Sequence, residues 1–117
     1  MLTFRFFKFP VYLQAKDFYK KILILANRIQ NNYPLRDQII RATLSVILNI
    51  AEGSAKKSDK DFARFLEISI ASTNEAAACL DIMKDLNVID EHDYQILLSE
   101  AESIVKQLGG FIKKLYQ

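Results

Sequence analysis

Glycine and proline are nearly missing from this sequence, at 3 and 2 of 117 residues. A β-rich chain needs a turn roughly every eight to twelve residues, and turns draw heavily on these two residue types. So few breakers predict a handful of long helices instead of many short strands. Half of the residues are hydrophobic and 26% are charged, which supports a packed core and excludes a disordered chain. The length fits one domain, residues 1–117, able to bury a core without disulfide or metal staples.

The stretch Arg41–Glu75 organises the rest: an apolar helix, Gly53, a lysine-bearing turn, then a second helix. Before it, residues 1–10 (MLTFRFFKFP) alternate Phe4 and Phe6 with Arg5, then Phe7 and Phe9 with Lys8. Period two predicts an extended arm, packed either across the end of the domain or onto another subunit. A first helix is expected over Val11–Asn32, with Phe18, Ile22, Leu25, Ala26 and Ile29 on one face. Asn31-Asn32-Tyr33-Pro34 should end it, because the residue before a proline avoids the α region. A second helix, Leu35–Glu52, is apolar almost all round and so should be buried on several sides. Gly53 is expected as its left-handed cap. Ser58 with Asp61 should open a third helix running to about Leu86, and Asp90 a fourth running to about Tyr116. Gly109-Gly110 interrupts that last helix, where close contact with a neighbouring helix is the expected reason. Four helices with tight connections predict an all-α, antiparallel up-down-up-down four-helix bundle.

A four-helix bundle invites di-metal chemistry, which uses Glu-x-x-His pairs. The sequence contains one histidine, His92, and no such motif, so no metal or other cofactor is expected. Ser45, Ser69 and Ser72 have no histidine placed to act as base, and the three glycines form no phosphate-cradling loop. A non-enzymatic protein is expected. The single Cys79 sits in an apolar run and reads as a buried thiol. No segment resembles a signal peptide or reaches the roughly 18 apolar residues of a membrane span; a cytoplasmic protein without membrane contact is the expectation.

Two polar pairs interrupt the greasy central helices: Asn49 with Glu52, and Ser72 with Glu75, each three residues apart on one helix face. Buried polar groups need partners. Glu52 lies at the dipole's unfavourable end, so a donor such as Arg41, Arg64 or the amides of residues 54–58 should hold it. Charge is lopsided along the chain. Residues 1–64 carry 12 Lys/Arg against 5 Asp/Glu, and residues 65–117 carry 4 against 9, giving +7 and −5 within the overall +2. The asymmetry suits either a basic face for an anionic partner or pairing between halves, within a subunit or across subunits. Lys16, Lys20 and Arg28 share a stripe of the first helix. With Lys21, Lys56, Lys57, Lys60 and Arg64 they form the candidate nucleic-acid-binding set.

Arg41-Ala42, Ser45, Asn49-Ile50-Ala51-Glu52-Gly53, Ser58, Phe65-Leu66, Ser72 and Glu75 together resemble a known signature. It is that of the four-helix-bundle proteins encoded in intervening sequences of bacterial 23S rRNA genes, approximately R-A-x-x-S-I-P-S-N-I-A-E-G, a basic turn, F-L and G-S-x-x-E. Ile47 and Leu48 replace the family's Pro and Ser, and Ala71 replaces its Gly, a loss expected to loosen one close helix contact. The resemblance implies a small cytoplasmic bacterial bundle and, from structurally known relatives, a homopentamer. Related accessory proteins of diversity-generating retroelements bind a reverse transcriptase and nucleic acid. Two functions are therefore expected to compete: an oligomeric RNA- or DNA-binding accessory protein, and a protein–protein scaffold assembled as a ring through complementary charged halves. In either, Arg41, Ser45, Asn49, Glu52, Gly53, Ser72 and Glu75 are read as a structural motif locking the central hairpin.

Overall fold

The computed structural model describes residues 3–117, so the first two residues of the expected arm lie outside it. A 3-10 turn at Arg5–Lys8 leads into four helices: α1 (Pro10–Ala26), α2 (Tyr33–Ser54), α3 (Asp59–Asp85) and α4 (Glu91–Leu115). The described residues contain no strand. Ser58 and Asp90 cap as the sequence predicts, their side chains accepting from the Asp61 and Asp93 amides at 3.1 and 2.7 Å. Asn32 caps α2 in the same way, accepting from the Leu35 amide at 3.3 Å.

The side-chain pairs fix the direction of the helices. Gln14 meets Gln107, Lys21 meets Glu100, and Arg28 just past α1 meets Asp93. Each advance of seven along α1 is matched by a retreat of seven along α4, so the two run antiparallel. On α2 and α3, Gln38 meets Glu75, Val46 meets Ser69, and Gly53 meets Phe62. On α3 and α4, Asp81 meets Tyr94 and Lys84 meets Glu91. Arg5, just ahead of α1, reaches the end of α2 at Ser54, which sets those two antiparallel as well. The result is an up-down-up-down bundle, 45 × 21 × 20 Å. Phe18, Ile22, Ile39, Ile50, Phe62, Leu66, Leu80, Met83, Ile104 and Leu108 fill its axis, all fully buried.

Six expectations are corrected here. The arm is not extended: its described part coils into a 3-10 turn. Helix α1 stops at Ala26 rather than Asn32, because the Arg28 and Ile29 amides bond back three residues to Leu25 and Ala26 and tighten the last turn. Ile29 stays buried beyond the helix, so the apolar period ran on past the helical backbone. Pro34 sits in the first turn of α2, where its missing N–H costs nothing; it starts the second helix and does not end the first.

Helix α2 is not buried all round, since Leu44 and Leu48 are 37% and 54% exposed. Gly53 is not a left-handed cap either. It lies inside α2 without a positive φ, and a Cβ there would stand 2.7 Å from Phe65 Cβ and 3.0 Å from the Phe62 ring. Left-handed conformations fall instead on Asn31 and Asn87, in the two loops flanking the other end of the bundle. The close contact expected at Gly109-Gly110 belongs to Gly53. Helix α4 runs unbroken through its two glycines, and nothing lies within 4 Å of a Cβ built on either.

Candidate nucleic-acid interface

The central motif works as a seam between α2 and α3. Ser45 and Ser72 hydroxyls bond at 2.8 Å, and the Asn49 amide donates to the Ser45 carbonyl and hydroxyl at 2.8 and 3.0 Å. Buried Ser69 donates to the Val46 carbonyl at 2.9 Å. Gln38 donates to a Glu75 carboxylate oxygen at 2.9 Å, so Glu75 is satisfied across the seam and not by Ser72 on its own helix. The expected restraint on Glu52 is absent: Glu52 is exposed, as is Arg41, and neither has a side-chain partner among the described residues. Water solvates Glu52, which removes the need for a buried donor. Ala71, in place of the family's glycine, is exposed, so its methyl meets solvent and no helix contact is loosened there.

The eight basic candidates do not form one surface. Lys21 is exposed but already paired within the subunit, bridging Glu100 on α4 and Asp17 at 3.2 Å, and these carboxylates raise its pKa. Arg28 lies past the end of α1 and turns to Asp93 at 3.9 Å, so it does not continue a stripe from Lys16 and Lys20. Lys16 sits 5.0 Å from the Tyr12 ring. Lys56 sits 4.9 Å from the Phe65 ring, and Arg64 pairs with Asp61 at 3.4 Å. Lys20, Lys57 and Lys60 are exposed, with no ion pair among the described residues.

The helix registers put Asp17, Leu44, Ala71 and Ile104 at one level, dividing the rod in two. The half holding the α2–α3 turn, the N-terminal turn and the C-terminus of α4 carries ten Lys/Arg against five Asp/Glu, or +5. The other half carries six against nine, or −3. Lys16, Lys56, Lys57, Lys60 and Arg64 fall in the basic half; Lys20, Lys21 and Arg28 fall in the acidic one. Arg5, Lys8, Lys106, Lys113 and Lys114 complete the basic half and were missed. Three of them belong to the sequence's acidic half, and only the antiparallel return of α4 brings them there.

Within this half, Arg5 donates twice to the Ser54 carbonyl, at 3.1 and 2.9 Å, and lies 5.2 Å from the Phe62 ring. It thus ties the N-terminal turn to the α2 terminus, where a cation complements the helix dipole. Phe9, Phe62 and Phe111 pack beneath it, with Phe111 5.1 Å from each of the other two rings. Lys113 and Lys114 occupy the last turn of α4. Among the described residues no group of His, Cys, Asp and Glu is arranged to hold a metal ion. Among the described residues no helix is long and apolar enough to cross a membrane.

Fold and motif together define an all-α bundle whose central hairpin is held by a serine–asparagine seam. The 23S rRNA-intervening sequence protein pattern matches residues 8–110, and the chain belongs to that family. Among solved structures it is similar to a protein of unknown function from the S23 ribosomal protein family of Bacteroides thetaiotaomicron VPI-5482. The two are 25% identical and superpose with a TM-score of 0.81, over 88% of this chain and 98% of the other. Comparison with curated proteins gives no match.

Proposed function

We propose that this protein is a non-enzymatic accessory protein that binds RNA or DNA through the basic half of the bundle. The observation that carries the reading is the +5 charge gathered there. Lys8, Lys57, Lys60, Lys113 and Lys114 in that half have no ion-pair partner among the described residues. Unpaired cations neutralise phosphates and release counterions, which gives affinity without sequence preference. A filter-binding titration across salt tests it. Affinity should fall linearly in log–log form, by about 0.9 per duplex phosphate contacted. Binding that is absent, or indifferent to salt, sinks the reading.

A second reading, a scaffold assembled through complementary charge, is favoured by one feature. The outer face of α2 leaves Leu44 and Leu48 in solvent between Arg41 and Glu52, all without partners in the bundle. Assembly as a homo-oligomer, a pentamer by family likeness, would cover that face and set basic surfaces against acidic ones. Lys56→Glu, Lys57→Glu and Lys60→Glu together should then lower the mass seen by light scattering; an unchanged mass counts against this reading.

A further inference from the structure

Wound as a 3-10 turn, the segment Phe4-Arg5-Phe6-Phe7-Lys8-Phe9 has period three. Three residues per turn put positions i and i+3 on one side, and the segment divides accordingly. Phe6 and Phe9 turn inward, 5.0 Å from the Tyr12 ring and 5.1 Å from the Phe111 ring. Phe4 and Phe7 turn outward together, 59% and 55% exposed, with ring centroids 5.8 Å apart. Tyr33 and Tyr116, the other strongly exposed rings, have no aromatic neighbour among the described residues.

The surroundings of this ring pair are cationic. No acid occurs before Asp17. Lys8 follows Phe7 directly, and Phe7 lies 6.2 Å from the Tyr12 ring over which Lys16 sits. On the other side Arg5 reaches Ser54, just ahead of Lys56 and Lys57. Aromatic faces set among cations match a strand whose bases are free to stack and whose phosphates alternate with them. A duplex keeps its base faces inside its own stack and has nothing to offer Phe4 or Phe7. Both residues precede the stretch 8–110 that carries the family pattern.

We propose that Phe4 and Phe7 form a stacking platform for unpaired nucleobases, with Lys8, Lys16 and Lys57 taking the flanking phosphates. The proposal rests on the nucleic-acid reading above and adds that the ligand is single-stranded. The test is fluorescence anisotropy of the full chain with labelled single-stranded RNA and DNA oligonucleotides and their duplexes. Single strands should bind at least about tenfold tighter than duplexes. Phe4→Ala with Phe7→Ala should remove that preference, about tenfold per ring lost, and Phe4→Tyr with Phe7→Tyr should keep it. If the alanine pair leaves affinity unchanged while Lys57→Glu and Lys60→Glu weaken it, stacking is overturned and the basic-half reading survives. Equal affinity for duplex and single strand has the same meaning. No binding to any nucleic acid overturns both. An alanine pair that changes the sedimentation mass, or abolishes binding to anionic phospholipid vesicles only, overturns the platform in favour of a subunit or membrane contact.

Discussion

The three glycines show how residues of one type take opposite roles according to what stands opposite them. Gly53 lets α2 approach the Phe62–Phe65 turn of α3, and a methyl would collide with Phe65 Cβ at 2.7 Å. Gly53→Ala should lower stability by about 1–3 kcal/mol despite alanine's better helix propensity. Gly109→Ala and Gly110→Ala meet open space and should each raise stability by up to about 1 kcal/mol. Urea unfolding of the three variants checks both signs. The sequence does not separate these cases, because a glycine after an apolar run can end a helix or cross one. Caps are more legible: the oxygens of Ser58 and Asp90 face an amide three residues on, whatever the tertiary fold. Cys79 was also legible as buried, and burial, then Glu75, pushes its pKa up. An acid whose folded pKa exceeds its unfolded value adds nothing at neutral pH and destabilises as pH rises past the unfolded value, about 8.5. Stability measured from pH 7.5 to 10 should therefore fall more steeply for the wild type than for Cys79→Ala, and the native thiol should resist a disulfide reagent at pH 7.5.

At the scale of elements, the helices were readable and their ends were not. Ile29 kept the apolar rhythm going beyond the backbone that produces it. The N-terminal segment kept a rhythm too: each of Phe4–Phe6 and Phe7–Phe9 alternates and reads alone as period two, but the six residues together repeat every three. Only the inward packing of Phe6 and Phe9 decides between them. The Arg5 clamp was invisible, since Ser54 lies 49 residues away. Arg5→Ala should free the α2 terminus and cost about 1 kcal/mol, read as a lower denaturation midpoint with unchanged helix content. Between α1 and α4 the polar contacts recur every seven residues: Gln14–Gln107, Lys21–Glu100, Arg28–Asp93. Because Lys21 belongs to that ladder, Lys21→Ala should leave nucleic-acid affinity within about twofold while changing stability by less than about 1 kcal/mol.

For the whole molecule, charge is segregated by level in the bundle and not by position in the chain. The basic first half of the sequence sends Lys20, Lys21, Arg28, Arg36 and Arg41 to the acidic end, while the acidic second half returns Lys106, Lys113 and Lys114 to the basic one. Lys113→Glu with Lys114→Glu should therefore weaken nucleic-acid binding several-fold and flatten its salt slope, although both lie far in sequence from the lysine turn. Lys20→Ala should do neither.

This polarity bears on how molecules arrive. In the field of a polyanion, a rod 45 Å long with opposite ends of opposite sign experiences a torque as well as an attraction. It turns its basic end forward before contact, within about a Debye length of the surface. A molecule seated as proposed would present its −3 half outward, while its net charge of +2 still lowers the total negative charge. A strand coated in this orientation would carry an outward acidic layer.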